Sequence, residues 1–285
     1  MKLEDLSLIV YDCEVIAHDF MVDFKSFGGE HVSLWNDGRA IRDFIEDNDE
    51  AVFVGFNNKH YDQHIVKAIC VGCEPEEVKE INDWIIAGGT PWEHPFLRDA
   101  RFWFSNTDLM DDMQKGMSLK AIEGHLGMSI VESSVPFDIQ TKLTPEQRDE
   151  VTRYCRYDVD ATEELLKLRW DYLQTKMHLA ELGGINQKKA LSKTDPMLAA
   201  EYMQAKRIPH IEDKERDYAF PERLDYSYIP DDIIEFFKQI WDESIPLEEL
   251  FKTSFDCEIG GCPVRYAWGG AHGALPKYKE RATCF

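Results

Sequence analysis

The sequence predicts an α/β domain with a mixed β-sheet, followed by a mainly helical C-terminal segment. The prediction rests on apolar strand patterns near the N-terminus, on strand and helix patterns that alternate after them, and on one long helix. The chain has 285 residues, of which 44% are hydrophobic, so it can bury a sizeable core. We place the domain at residues 1–180 and the helical segment at 181–285, because the sequence pattern changes beyond Gly183 and Gly184.

The first predicted strand, residues 8–14, is apolar on both faces, which is typical of a central strand in a covered sheet. The next two strands, 17–25 and 31–35, are separated by the turn signal Gly28-Gly29 and predict a meander. The elements that follow are a helix at 39–47, a strand at 51–56, helices at 61–69 and 74–87, a loop at 88–99, an aromatic-rich strand at 101–104 and a capped helix at 118–127.

The long helix has the clearest start signal in the chain. Thr144 can cap it with its hydroxyl, Pro145 suits the first helical position, and Gln147 completes a capping box. We expect this helix to run to about residue 175. Shorter helices are expected at 195–206 and 231–242.

Composition and charge restrict the class of protein. The formal charge of −22 argues against broad electrostatic binding to duplex DNA. Seven scattered cysteines argue for reduced thiols, and the Cys70 and Cys73 pair has no second pair of the same spacing, which disfavours structural zinc. The N-terminus lacks the pattern of a secretion signal and no apolar run could span a membrane, so we expect a cytoplasmic protein.

Two carboxylates close the first strand. Asp12 and Glu14 lie two residues apart, so they project from the same face of that strand, and such a pair favours a cation. An acidic strand end that simply faces water is an equally good interpretation of this pattern alone. Other segments must decide between the two.

Two further acids lie in settings that suggest the same site. Asp158 falls on the stripe of Val151, Tyr154 and Leu165 in the long helix, where an unpaired buried carboxylate is expensive. Asp62 follows a buried strand and opens a helix, at the edge of the sheet where ligands often bind. Alternatively, Asp158 could bond a neighbouring donor, and Asp62 could merely complement a helix dipole.

Three short motifs follow one another in the chain. Residues 12–14 form Asp-x-Glu, residues 55–62 contain an Asn followed shortly by an aromatic residue and Asp, and residues 154–158 form Tyr-x-x-x-Asp. Together they resemble the three motifs of the tyrosine subclass of DEDD 3′–5′ exonucleases. The resemblance implies a ribonuclease H-like fold and hydrolysis of nucleotides from single-stranded DNA 3′ ends.

The resemblance also implies roles for individual residues. Two Mg²⁺ or Mn²⁺ ions would be held by Asp12, Glu14, Asp62 and Asp158, and hard oxygen ligands suit these metals better than zinc.

Tyr154 would orient the attacking water, and Asn57 or Asn58 would bind the terminal nucleotide, although both asparagines could simply form a turn. Lys120 could neutralise phosphate charge, but an exposed helix face makes a solvated side chain the preferred interpretation. The aromatic residues of this region, Phe56, Tyr61, Phe102, Trp103 and Phe104, could stack on bases, but a core role is favoured for them.

The whole chain resembles the N-terminal part of a phage-type DNA polymerase, most similar to family B. Residues 266–273 resemble the family's Tyr/Gly-Gly segment, with one extra residue before the glycines. In that family a polymerase aspartate follows soon after, whereas the twelve residues after Gly273 contain no Asp. We therefore expect no polymerase activity from this chain alone, and a polymerase moiety or replication proteins as its partners.

Two other classes of function compete with this hypothesis. A catalytically silent nucleic-acid-binding or scaffolding module of the same fold would be marked by a lost acid, and none of the four is missing. An acidic protein that imitates DNA would need no ordered motifs.

Overall fold

The computed structural model describes residues 2–113, 116–206, 225, 227, 229–259, 262–268 and 270–273. The chain divides into two compact units, Met1–Lys206 and Arg207–Phe285. None of the helices in the described ranges is long and apolar enough to cross a membrane.

The first unit contains a five-stranded mixed sheet in the order β3-β2-β1-β4-β5. Its strands are β1 (Leu8–Ile16), β2 (Asp19–Ser26), β3 (His31–Trp35), β4 (Val52–Gly55) and β5 (Asn106–Asp108). The first three strands pair antiparallel, as the meander prediction required, while β4 and β5 run parallel to β1. The expected α/β class with a mixed sheet is confirmed.

Helices lie on both faces of this sheet. The first unit contains α1 (Gly38–Asp47), α2 (Asp62–Cys70), α3 (Pro75–Ile86), α4 (Pro95–Asp99), α5 (Leu119–Leu126), α6 (Pro145–Leu168), α7 (Trp170–Leu182), α8 (Gln187–Leu191) and α9 (Asp195–Tyr202). The capping box predicted at Thr144 is present, and Ser118 and Gly127 bound α5 as expected.

Strand β1 separates two layers of core. Ile9 and Tyr11 pack with α2 and α3 residues on one face, whereas Leu8 and Val10 pack with α6 residues on the other. Because side chains alternate along a strand, Asp12 and Glu14 belong to the α6 face, beyond Val10.

The predicted single helix to residue 175 is wrong, because α6 ends at Leu168 and α7 begins at Trp170. Arg169 lies at the break, and its guanidinium donates hydrogen bonds to the backbone carbonyls of Leu109 and Asp111. Hydrogen bonds to residues distant in sequence therefore end α6, although the helical sequence pattern continues beyond Leu168.

The strand predicted at 101–104 and the structureless loop at 88–99 are also wrong. The fifth strand is the polar segment Asn106–Asp108, which pairs with β4, and residues 88–99 contain α4 and a 3₁₀ turn at Pro91–Glu93. Hydrophobic patterning missed β5 because Asn106 and Asp108 are buried through hydrogen bonds rather than through apolar packing.

The first unit continues beyond the boundary expected near residue 180. Ala180 of α7, Ala190 of α8 and Leu198 of α9 form one small buried cluster. This packing joins α8 and α9 to the α/β unit, so the division falls after Lys206.

The second unit contains α10 (Asp231–Lys238), α11 (Leu247–Leu250) and an antiparallel sheet of β6 (Ser254–Ile259), β7 (Cys262–Ala267) and β8 (Gly270–Gly273). The expectation of a mainly helical segment missed this sheet. The segment singled out at 266–273 joins β7 to β8, with Tyr266 paired to Ala271. Gly269 of that segment and the residues after Gly273 lie outside the described residues.

Candidate metal centre

Asp12 and Glu14 belong to a cluster of potential metal ligands. An oxygen of each carboxylate and the Sγ atom of Cys155 all lie within 4.8 Å of one another. Cys155 comes from α6, and its thiol lies 3.5 Å from Oδ2 of Asp12. The prediction that these two acids close the first strand is wrong, because β1 continues through pairing with β2 to Ile16. Asp12 and Glu14 lie inside the strand and face the long helix.

Asp62 reaches the same region from the first residue of α2. Its Oδ1 atom accepts hydrogen bonds from the backbone N–H of Cys13, at 3.3 Å, and from the Cys13 thiol, at 3.1 Å. These bonds fix Asp62 against Cys13 of β1, the residue that lies between Asp12 and Glu14 in the sequence. The charge of Asp62 is the first among the neighbouring charges that raise the pKa of Asp12.

Asp158 approaches the group from α6, where it is buried as its stripe position predicted. Asp62 and Asp158 are not among the atoms that lie within 4.8 Å of one another, but their charges raise the pKa values of Asp12 and Glu14. The ammonium of Lys120, on α5, donates a hydrogen bond to Oδ1 of Asp158 and lies 3.4 Å from Oε1 of Glu123. The same ammonium lies 4.9 Å from the centre of the Tyr154 ring. The preferred interpretation of Lys120 as a solvated side chain is therefore wrong, because only 24% of that side chain is exposed.

The four carboxylates repel one another. Burial is the largest cause that raises the pKa of Asp12 and of Glu14, and the negative charges of their neighbours raise both further. Burial also raises the pKa of Asp62 to about 6, and that of Asp158 against the opposing effect of Lys120. A cluster of this kind is unfavourable when ionised and is stabilised by a bound cation.

The donor set fits hard divalent ions. Carboxylate oxygens suit Mg²⁺ and Mn²⁺, and four of them from three elements can be shared between two ions. Burial and the charge of Asp12 raise the pKa of the Cys155 thiol well above its usual value, and soft sulfur suits Mg²⁺ and Mn²⁺ less well than carboxylate oxygen does. Burial also raises the pKa of the Cys70 thiol to about 12 and that of the Cys73 thiol to about 11.

Tyr154 lies one helical turn before Asp158 and close enough that each influences the pKa of the other. Burial and the charge of Asp158 raise the pKa of the Tyr154 phenol, so it remains a protonated donor. Its ring is partly exposed and meets Phe137 edge-on, with the ring centres 6.2 Å apart.

The two candidate asparagines differ in their surroundings. Asn58 is fully buried, and its amide donates to Oδ1 of Asn106 at 2.8 Å and to the carbonyl of Thr107 at 3.1 Å. Asn58 therefore shapes the loop and cannot reach a substrate. Asn57 is partly exposed, in a left-handed conformation with φ of 59°, which leaves it as the candidate for substrate contact.

Asp108, at the end of β5, is a residue that the motifs did not include. Its carboxylate accepts hydrogen bonds from the backbone N–H groups of Asn57 at 2.8 Å, Lys59 at 3.1 Å and Met110 at 2.8 Å. It thereby fixes the loop that leads to Asp62. Asp108 lies in a polar segment after the aromatic residues 102–104, and this sequence pattern does not indicate a buried or functional carboxylate.

The aromatic residues divide between core and surface. Phe102 is buried and Phe104 packs against the same core, and the Tyr61 hydroxyl donates to Asn82 at 2.6 Å. Trp103 differs, because 79% of it is exposed.

No family model matches the chain, and a search of curated proteins found none that matches it.

Proposed function

We propose that the chain is a metal-dependent 3′–5′ exonuclease that removes nucleotides from single-stranded DNA 3′ ends. The observation that supports this most is the convergence of Asp12, Glu14, Asp62 and Asp158 from β1, α2 and α6. The order of the three motifs along the chain, with its resemblance to the DEDD exonucleases, supports the same reaction.

Asp12, Glu14 and Asp158 would hold one Mg²⁺ or Mn²⁺ ion, and Asp12 and Asp62 would hold the second. A pair of such ions supplies an activated water and stabilises the attacking and leaving oxygens of an in-line phosphoryl displacement.

The protein's own side chains would position the reactants. The protonated Tyr154 hydroxyl would donate a hydrogen bond that orients the water. The Lys120 ammonium, held at Asp158, would stabilise negative charge on the phosphate as it develops. Asn57 would contact the terminal nucleotide from the loop that Asp108 fixes.

We further propose that the chain is the proofreading portion of a phage-type DNA polymerase and works in the cytoplasm of a host cell, with a polymerase moiety or replication proteins as partners. The resemblance of the chain to family B polymerases supports this assignment. The alternative is a catalytically silent nucleic-acid-binding or scaffolding module of the same fold, and the presence of all four acids of the motifs favours the enzyme.

A cleavage assay tests the proposal. A single-stranded oligonucleotide labelled at its 5′ end should shorten stepwise from the 3′ end with Mg²⁺ or Mn²⁺, and remain intact with a chelator. Binding of the oligonucleotide without cleavage in either metal would instead support the silent module.

A further inference from the structure

A cavity of about 270 Å³ lies on the first unit, and residues of α2 form part of its wall. Its lining includes the rings of Trp92, Trp103 and Phe104 and the side chains of Gln63 and Lys67. None of its lining residues, within the described chain, is an Asp or a Glu. That lining is unusual in a chain with a formal charge of −22.

Lys67 brings a buried positive charge to this cavity. Only 9% of Lys67 is exposed, and its ammonium donates to the carbonyl of Leu97 at 3.0 Å. Its ammonium is not paired with a carboxylate of the described residues, and burial, followed by the positive charge of Arg101, lowers the pKa of Lys67. Because burial of this charge is costly despite the bond to Leu97, an anion beside Lys67 would be stabilising.

Trp103 offers a ring surface beside this charge. The Lys67 ammonium lies 4.4 Å from the centre of the Trp103 ring, yet 79% of Trp103 is exposed. Trp92 is 66% exposed in the same lining. An exposed indole next to a cation is the combination with which proteins bind unpaired nucleotides, the ring stacking on a base and the cation pairing with a phosphate.

The cavity and the candidate metal centre both use residues of α2. Helix α2 carries Asp62 at its first position, and Gln63 and Lys67, four residues apart, lie together on the cavity wall. The helix rises about 8 Å from Asp62 to Lys67. Asn106, which binds the buried Asn58, also donates to Oε1 of Gln63 at 3.2 Å.

We propose that this aromatic and lysine cavity binds an unpaired nucleotide of a single DNA strand, with the base on Trp103 and a phosphate at Lys67. The inference rests on the proposed function, since the strand would be the one whose 3′ end reaches the four carboxylates.

Binding of a fluorescently labelled oligothymidylate, measured by anisotropy in chelator, tests this without turnover. Trp103→Ala should raise the Kd roughly tenfold, the effect of losing one base stack, whereas Trp103→Phe should keep it within roughly threefold. Lys67→Met should lower the slope of log Kd against log salt by about 0.7, the value for one phosphate contact, and Lys67→Arg should restore it. Lys79→Met, which removes a lysine outside the cavity, should leave the slope unchanged.

Wild-type affinity in Trp103→Ala, or an unchanged salt slope in folded Lys67→Met, would overturn the proposal. Trp103 is exposed, so its variants should fold even if those of Lys67 do not. If the wild type cleaves DNA but the cavity variants bind it as tightly as the wild type, the cavity proposal is refuted and the exonuclease proposal is not. If binding depends on the cavity but the wild type does not cleave in Mg²⁺, the exonuclease proposal is refuted.

Discussion

The ammonium of Lys120 on α5 donates a hydrogen bond to the carboxylate of Asp158 on α6. This bond places the positive charge of α5 at a cluster of four acids, and it opposes the effect of burial on the pKa of Asp158. The pair joins two helices that are separated in sequence by a long irregular segment.

Lys120→Met should lower the rate of cleavage roughly a hundredfold, because it removes one charge that stabilises the transition state. The initial rate at saturating Mg²⁺ measures this effect, and Lys167→Met, at a surface lysine of α6, is the control. Equal rates in the wild type and Lys120→Met would show that Lys120 only pairs with Asp158 in the folded structure.

Tyr154→Phe should lower turnover by roughly tenfold to a thousandfold, because it deletes one orienting hydroxyl and leaves the carboxylates in place. The Mg²⁺ concentration for half-maximal rate should stay within about twofold. A loss of metal affinity instead of turnover would make Tyr154 a structural residue.

Gly55→Ala should destabilise the fold by about 1–3 kcal/mol. A Cβ atom at Gly55 would lie 2.5 Å from Nδ2 of Asn58, and this amide is buried and hydrogen-bonded, so it cannot move freely. Thermal unfolding measures the change. Gly124→Ala in α5, where the nearest atom lies 3.8 Å away, is the matched control and should hold or raise the stability.

The stability of the metal-free protein should rise as the pH falls from about 7 to about 5. The pKa of Asp62 is about 6 in the folded chain and near its ordinary value of 3.8 when unfolded, so the folded chain binds more protons in this range. The stability gained by protonation is present below the unfolded pKa and is lost as the pH rises through the folded pKa.

Thermal unfolding in chelator at a series of pH values measures this dependence for the wild type and for Asp62→Asn. The difference in melting temperature between the two should shrink towards low pH, because the wild-type carboxyl becomes neutral there. A difference that grows towards low pH would contradict the raised pKa of Asp62.

Local patterns predicted the parts of the site that local geometry determines. Strand alternation places Asp12 and Glu14 on one face, and the helical stripe places Asp158 towards the core. Lys120 could not be placed in this way, because its environment depends on the packing of α5 near α6. The same holds for Arg169, whose bonds to distant carbonyls end α6.

The polar strand β5 was not predicted, for a related reason. Its residues are buried because Asn106 and Asp108 bond the loop that precedes α2, and such bonds have no hydrophobic period. The aromatic residues 102–104 gave the stronger pattern just before it. Phe102 is buried whereas Trp103 is exposed, and no periodicity of the sequence predicts that difference.

The most direct test of the account compares nucleotide release from a 3′-labelled single strand by the wild type, Asp12→Asn and Asp158→Asn in Mg²⁺. We predict release by the wild type and loss of at least about a thousandfold in each variant. The unfolding temperature of Asp12→Asn should equal or exceed that of the wild type, because this change relieves repulsion, whereas Asp158→Asn also removes the bond to Lys120. Near-normal, Mg²⁺-dependent release by either folded variant would contradict the assignment of the four carboxylates as the catalytic metal centre.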